Sequence, residues 1–169
     1  MNNSKKLISE VSEIAYRNEK QYAGCAQAVI GAFKELTGSK IHDDVFKAGT
    51  ALMGGIGCSG NACGSLTGAV MVMSIFLGRE YDNFSDPEKI RFESSKLSKK
   101  LTDRFIEEYG TVNCWDIQRK IMGRSFNSWD KKEYAEFLKA GGHDTKCPSV
   151  CGNAAKWTME ILIEEGLIE

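Results

Sequence analysis

The sequence predicts an all-α fold, a single-domain bundle of about seven or eight helices over residues 1–169. Apolar residues recur at three- and four-residue spacing in most segments, and typical helix-start and helix-stop residues separate these segments. No segment alternates in polarity as a half-buried strand does. The length suits one domain, and no internal repeat or low-complexity linker divides the chain.

The first part of the chain contains three segments of helical periodicity. The first carries Leu7, Val11 and Ala15 on one face, with charged residues on the other. The second covers residues 25–36, and the third covers residues 45–53. The chain then enters a glycine-rich turn over residues 54–60. We expect these segments to pack through their apolar faces.

Residues 62–77 form the most apolar segment of the chain, almost without charge on any face. A helix of this kind is typical of a position surrounded by other helices, so we expect the central buried helix here. It is too short, and too rich in Gly, Ser and Thr, for a membrane span of about 20 apolar residues. Gly64 and Gly68 lie one turn apart and would let a second backbone approach closely.

The second half begins with a strong helix-start pattern, Ser85-Asp86-Pro87-Glu88, which predicts a long charged helix ending near Tyr109. Asn113 and Asp130 are predicted N-caps of two shorter helices. Cys147-Pro148 predicts the start of the last helix.

The composition narrows the class of protein. The formal net charge is −1 and no basic block stands out, which argues against a nucleic-acid-binding protein. The N-terminal residues do not resemble a secretory signal or a membrane anchor, so we expect a cytoplasmic protein without a membrane partner. Reducing thiol pools there favour metal binding or reversible redox chemistry over a static disulfide framework for the six cysteines. A homo-oligomer is compatible with the sequence.

Four of the cysteines lie at or just inside predicted helix starts: Cys25, Cys63, Cys114 and Cys147. The exposed N–H groups and partial positive charge of a helix start favour the thiolate form, which binds metals and attacks disulfides. Because these residues are far apart in sequence, any shared site must be assembled by the tertiary fold.

The spacing of the cysteines excludes several familiar modules. Cys58-x₄-Cys63 and Cys147-x₃-Cys151 match neither a zinc ribbon nor a ferredoxin pattern. The chain also lacks the C-x-x-C-H sequence of c-type haem attachment and the C-x-x-C sequence of thioredoxin-like proteins. We therefore expect no c-type haem.

The segment Cys63-Gly64-Ser65-Leu66-Thr67-Gly68, preceded by Gly54-Gly55-Ile56-Gly57, resembles the signature of the C_GCAxxG_C_C family of redox-active proteins. The resemblance extends over nearly the whole chain, and Ser65 stands where the family usually has alanine. The four family cysteines correspond, in chain order, to Cys25, Cys63, Cys114 and Cys147. Cys58 and Cys151 lie outside the pattern. A related domain of some multi-cofactor cytochromes, for which an iron–sulfur centre has been suggested, implies ligation as one use of these cysteines.

Three mechanisms are consistent with these residues, each with an unknown redox partner or none. In the favoured one, the four family cysteines ligate an iron–sulfur cluster or another metal centre for electron transfer, with Cys58 or Cys151 as extra ligands. In the second, Cys63 and Cys25 are redox thiols of a thiol–disulfide oxidoreductase or sensor, and Cys58 is a further candidate partner for Cys63. In the third, a non-catalytic helical module holds a structural zinc ion.

The glycine-rich turn also contains a literal G-x-G-x-x-G sequence, formed by Gly55, Gly57 and Gly60. A dinucleotide site needs a strand before this turn, whereas residues 45–53 have helical periodicity, so we expect no NAD. We predict instead that these three glycines and Gly64 let the backbone wrap closely around a bound cofactor.

The two histidines, His42 and His143, lie in polar segments beside aspartates and are predicted to be on the surface. His143 is near enough to Cys147 in sequence to be considered as a contributor to the site.

Overall fold

The computed structural model describes residues 2–169, apart from the side chains of Asn2 and Ser39, and shows eight α-helices packed as a single bundle. This confirms the predicted all-α fold; Met1, part of the predicted domain, lies outside the described residues. Over residues 2–169 there is no β-strand, and the only β-type pairing is an isolated antiparallel bridge between Ala62 and Asn113. The helices are α1 (Asn2–Tyr22), α2 (Cys25–Thr37), α3 (Asp43–Ala48), α4 (Gly64–Phe76), α5 (Ile90–Tyr109), α6 (Cys114–Met122), α7 (Lys131–Lys139) and α8 (Cys147–Glu164).

The two terminal helices form the most extensive packing of the bundle, because α1 lies along α8 and also contacts α2. Val11 and Ala15 on α1 are fully buried in this contact, as their spacing predicts. The Ser12 hydroxyl donates a 3.0 Å hydrogen bond to the carbonyl oxygen of Gly152 on α8. Burial of the apolar face of α1 thereby joins the two ends of the chain.

Helix α4 is the central helix that the sequence predicts, in contact with α2, α5 and α8. Gly68 allows the close approach of α2, since a Cβ atom there would lie 2.5 Å from the carbonyl oxygen of Ala26. The large fully buried side chains of α4 and its three neighbours α2, α5 and α8 include Ile30, Phe33, Met73, Leu101, Phe105 and Met159.

The third predicted helix is shorter than its pattern indicates. Helix α3 ends at Ala48, and a separate 3-10 turn follows over Thr50–Leu52. Gly49 lies between them where the chain passes closely over α2: a Cβ atom there would lie 2.6 Å from Cδ1 of Ile30. The helical periodicity thus continues through a change of helix type.

Helix α5 begins four residues later than the Ser85-Asp86-Pro87-Glu88 pattern predicts, because Lys89 adopts a left-handed conformation with φ +60°. Asp86 still acts as a cap from this distance. Its carboxylate accepts hydrogen bonds from the backbone N–H groups of Ile90 at 2.7 Å and Arg91 at 3.2 Å.

The starts of α6, α7 and α8 agree with the predicted positions but differ in how they are capped. Asp130 caps α7 by accepting from the N–H groups of Lys132 and Glu133, which confirms the prediction. Asn113 precedes α6 as predicted, but its side chain makes no capping hydrogen bond to the helix backbone. Helix α8 begins at Cys147, directly after a π-helical turn over Gly142–Lys146 that the sequence pattern did not indicate.

Among the helices of residues 2–169, none combines the length and the apolar character that crossing a membrane requires.

Candidate metal and redox centre

One cavity of about 280 Å³ lies between α1, the glycine-rich turn, α6, α7 and α8, and its lining is mostly apolar. The side of the cavity formed by α7 and the preceding loop carries Trp129, Tyr134 and Phe137. All six cysteines of the chain line this cavity: Cys25, Cys58, Cys63, Cys114, Cys147 and Cys151. None of the six is in a disulfide.

Cys63 and Cys114 are placed by the isolated antiparallel bridge between the end of the glycine-rich turn and the start of α6. The N–H of Cys63 donates to the carbonyl oxygen of Val112 at 2.8 Å, and the N–H of Cys114 donates to that of Asn61 at 2.7 Å. These hydrogen bonds fix two helix starts, those of α4 and α6, next to each other. Two cysteines 51 positions apart in the printed sequence therefore reach the same cavity.

Cys25 is the first residue of α2, after a left-handed Gly24 at φ +84° that joins α1 to α2. Its sulfur lies against the backbone of Gly64, the first residue of α4, so closely that a Cβ atom on Gly64 would overlap it. The absence of a side chain at Gly64 therefore makes room for the Cys25 sulfur beside Cys63.

Cys147 and Cys151 lie one turn apart on α8. Cys151 is fully buried, and its thiol donates a long, weak hydrogen bond, with Sγ 3.7 Å from the carbonyl oxygen of Cys25. The S–H group of Cys151 therefore has a backbone acceptor within the bundle.

Cys58 reaches the cavity from the glycine-rich turn, where it has a left-handed backbone with φ +62°. Its side chain folds over Gly54, since a Cβ atom on Gly54 would lie 2.8 Å from the Cys58 sulfur. The turn is also connected to the loop before α7 by a 3.1 Å hydrogen bond from the indole Nε1 of Trp129 to the carbonyl oxygen of Gly57.

The four glycines predicted to bind a cofactor are not among the residues that line the cavity. Gly55 and Gly60 permit close packing of the turn: a Cβ atom would lie 2.5 Å from the Asn61 carbonyl oxygen in the first case and would overlap the Trp115 ring in the second. Gly57 faces open space. Gly55, Gly60 and Gly64 thus position the cysteines indirectly, through the shape of the turn and the approach of α4.

The cavity does not favour free thiolates, which corrects the expectation based on helix starts. Burial raises the pKa of Cys114 to about 12, and the nearby sulfurs of Cys63 and Cys58 act in the same direction. Burial also raises the pKa of Cys63, although hydrogen bonds from Ser65, including its hydroxyl with Oγ 3.0 Å from the sulfur, oppose the change. Burial raises the pKa values of the other cavity thiols well above the ordinary range: Cys25, Cys147 and Cys151. Desolvation of a charged sulfur outweighs the helix-start effect here.

Glu19 is a cavity residue that the sequence reasoning missed. Its side chain is only 1% exposed, and Oε1 lies 2.8 Å from Nδ1 of His143. Its other oxygen, Oε2, is buried and has no hydrogen-bond partner among the described residues. The available signal was its position: Glu19 continues the buried stripe of Val11 and Ala15 at four-residue spacing.

His143 lies in the cavity lining, and its side chain is 25% exposed, so the prediction of a surface position was wrong. Its ring packs edge-on against Phe137, with the ring centroids 4.9 Å apart. The π-helical turn over Gly142–Lys146 brings it from a polar segment of sequence to the buried carboxylate of Glu19. His42, by contrast, is on the surface as predicted.

The chemistry of the lining suits a cation. The cavity contains six thiols and the Glu19 carboxylate, and no lysine or arginine occurs among its described lining residues. The geometry does not, however, present a ready single-ion site: in residues 2–169 no three His, Cys, Asp or Glu side chains lie close enough together to hold one metal ion.

The fold and the cavity together define a class of protein: an all-α bundle that gathers cysteines from distant helix starts around one apolar cavity. The family model described as "Putative redox-active protein (C_GCAxxG_C_C)" matches residues 23–161, and the chain belongs to this family. No curated protein and no solved structure matches the chain.

Proposed function

We propose that this protein transfers electrons through an iron–sulfur centre held in the cavity by the thiolates of Cys25, Cys63, Cys114 and Cys147. The observation that carries the proposal is the composition of the lining, in which six cysteines and a buried glutamate converge without a lysine or arginine. A buried carboxylate is costly unless a cation or donor compensates it, and the thiols become anionic ligands once a metal binds them. Iron would supply that charge.

A cluster makes a weaker demand on the positions of the ligand atoms than a single ion does. A mononuclear site needs all its ligand atoms within about 2.0–2.3 Å of one point. No such group of side chains is present in residues 2–169, which weakens the structural-zinc hypothesis. A cluster would contain more than one metal atom, so its protein ligands would not all need to converge on a single point. The cavity offers about 280 Å³ for this purpose.

The raised pKa values of the thiols also favour a metal centre. Burial raises the pKa of Cys114 to about 12 and that of Cys25 well above the ordinary range, so few free thiolates exist near neutral pH. A metal cation deprotonates a coordinating thiol by direct interaction with the sulfur. The cavity is thus better suited to thiolates that are bound to metal than to free nucleophilic thiolates.

The residues of the chain have distinct roles in this proposal. The backbone bridge at Cys63 and Cys114, and the sulfur of Cys25 against Gly64, hold three ligands on adjacent helix starts. Cys147 provides the fourth from α8. Apolar residues such as Ile117 line the rest of the cavity. When bound, an iron–sulfur cluster supplies one-electron transfer.

The two cysteines outside the family pattern are not equivalent. The thiol of Cys151 has a backbone acceptor at the carbonyl oxygen of Cys25, which favours a structural role. Cys58 lies on the glycine-rich turn and is the better candidate for an additional or exchangeable ligand. The redox partner is a protein or small molecule yet to be identified, and a reducing compartment such as the cytoplasm would keep the thiols free for ligation.

A dithiol–disulfide couple is the second candidate, and the placement of Cys25 favours it. Its sulfur lies against Gly64, the residue that follows Cys63, which makes Cys25 and Cys63 neighbours in the fold. Oxidation of this pair would form one S–S bond and release two electrons and two protons to an acceptor. The high pKa values of both thiols make this chemistry slow near neutral pH, because the thiolate is the reactive form.

Purification without oxygen distinguishes the candidates. The proposal predicts a brown protein that contains iron and acid-labile sulfide, with a visible absorption spectrum that bleaches on reduction. Chemical reconstitution with ferrous iron and sulfide should restore any centre lost during purification. A colourless protein that cannot be reconstituted, and whose free-thiol count falls by two on mild oxidation, would instead support the dithiol couple.

A further inference from the structure

The buried carboxylate of Glu19 has an oxygen atom for which residues 2–169 provide no hydrogen-bond partner. One oxygen is paired with His143, and the other, Oε2, has no partner among residues 2–169 although it is fully shielded from solvent. An unsatisfied buried carboxylate oxygen is strongly destabilising unless a donor or a cation completes it. Something that binds in the cavity is therefore expected to meet this atom.

The surroundings of Glu19 do not supply the missing partner from the protein itself. Apart from His143, the ionisable side chains of the lining are the six thiols and Tyr134, and no lysine or arginine is among them. Glu19 lines the same cavity as the six thiols, and its charge raises the pKa values of Cys25, Cys63, Cys114, Cys147 and Cys151.

We infer that Glu19 is an oxygen ligand of the metal centre, bound through Oε2 to one of its iron atoms as a ligand additional to the four thiolates. The inference rests on the proposed function and adds a residue that lies outside the four-cysteine pattern. Carboxylate oxygen is a harder ligand than thiolate, so the iron atom that carries it differs electronically from iron atoms with sulfur ligands alone. A centre with one such iron atom has inequivalent metal sites.

His143 is a positioning residue in this arrangement. Its Nδ1 holds Oε1 of Glu19 at 2.8 Å and leaves Oε2 without a partner among residues 2–169, and hydrogen bonds of this kind generally fix the orientation of a metal ligand. The edge-on contact with Phe137 in turn fixes the ring of His143.

Two matched substitutions test the inference. Glu19→Gln preserves the size of the side chain and removes its charge, whereas Glu13→Gln makes the same change at an exposed position of α1. Each variant is reconstituted with ⁵⁷Fe and sulfide without oxygen, and Mössbauer spectra and the rate of iron loss to a chelator are recorded. Circular dichroism of each variant establishes that it is folded.

The expected result is a wild-type spectrum with one iron site distinct from the others. This distinct component should disappear or change in Glu19→Gln, and iron loss to the chelator should be faster by about tenfold or more. Glu13→Gln should match the wild type in both measurements. His143→Gln, which keeps the carboxylate, should retain the distinct iron component.

Other outcomes separate this inference from the proposed function. If the wild type binds no iron and sulfide, the proposed function itself fails. If the wild type holds a centre and Glu19→Gln leaves both the spectrum and the iron loss unchanged, the centre stands and the role of Glu19 is refuted. Equal changes in Glu19→Gln and His143→Gln would also refute it, since they would assign the effect to packing of the pair. If Glu19→Gln does not fold, a wild-type spectrum with equivalent, sulfur-ligated iron sites refutes the inference without any variant.

Discussion

The sulfur of Cys25 lies against the backbone of Gly64, so that a single methyl group at position 64 would overlap it. Because Gly64 directly follows Cys63, this contact brings the first two family cysteines together across the interface between α2 and α4. Position 64 thus favours glycine for a steric reason, because a side chain there would collide with the sulfur of Cys25, which is far away in the sequence.

Gly64→Ala should displace the Cys25 sulfur and disturb the metal centre. We expect overpacking to lower the free energy of unfolding by about 1–3 kcal/mol and to reduce the iron bound per folded molecule. Gly68→Ala is the matched control, because its Cβ atom would meet the backbone of Ala26 and no cysteine. Iron analysis of the folded fraction should separate them: a loss of iron in both variants, or in neither, would contradict the role given to Gly64.

Substitution of individual cysteines should divide them into two groups. Cys63→Ser removes a proposed ligand and should abolish stable iron binding and redox activity. Cys151→Ser should do little, since the serine hydroxyl can donate to the same carbonyl oxygen of Cys25. The iron and sulfide content after anaerobic reconstitution measures the effect of each substitution. Equal tolerance of the two substitutions would argue against Cys63 as a ligand and Cys151 as a non-ligand.

The metal-free protein should become less stable in alkaline solution. The folded-state pKa values of Cys25, Cys63, Cys114, Cys147 and Cys151 are raised, with that of Cys114 at about 12, whereas an unfolded cysteine titrates at about 8.5. The folded state therefore binds more protons in this window, and stability falls as the pH rises from about 8.5 towards 12. Urea unfolding of the metal-free protein at pH values from about 7 to about 11 should show this decline in the free energy of unfolding.

The iron-loaded protein provides the comparison for that experiment. Thiolates bound to metal are already deprotonated, so the loaded protein should lose less stability over the same pH range. A metal-free protein whose stability is constant up to pH values of about 11 would show that the thiols are not shielded as the structure indicates.

Asp86 should stabilise the start of α5 in a pH-dependent way. Burial raises the pKa of Asp86, but hydrogen bonds from the backbone and guanidinium groups of Arg91 and from the Ile90 N–H outweigh it and leave the pKa below its ordinary value. A depressed folded-state pKa adds stability above the unfolded value of about 3.9, and this is lost as the pH falls through the folded value.

Asp86→Asn should therefore be less stable than the wild type near neutral pH, with the difference shrinking in acid below about pH 4. Asp82→Asn, at an exposed position four residues earlier, is the control and should change little. Thermal unfolding at several pH values measures both variants. A difference between Asp86→Asn and the wild type that stays constant down to about pH 2 would be inconsistent with this role.

The helices could be predicted from the sequence because their signals are local. The periodicity of α1, the apolar character of α4 and the capping carboxylate of Asp130 each depend on residues within a few positions of one another. Helix α5 starts later than predicted because Lys89 adopts a left-handed conformation, which its residue type does not indicate. Local patterns therefore located the elements, and their ends depended on backbone details.

The site was only partly accessible from the sequence. The four family cysteines were named from their helix-start positions and the family resemblance, but their raised pKa values depend on burial, which is a property of the closed bundle. Glu19 was overlooked since a glutamate on an amphipathic helix is usually exposed. Its significance comes from His143, 124 positions away in the chain.

X-ray absorption at the iron edge, on protein purified without oxygen, is the decisive experiment, because it reports the atoms bound to iron. We expect iron surrounded mainly by sulfur, with a second iron atom at short distance, and loss of this signal in Cys63→Ser. A protein without iron after reconstitution, or iron surrounded only by oxygen and nitrogen, would refute the proposed function.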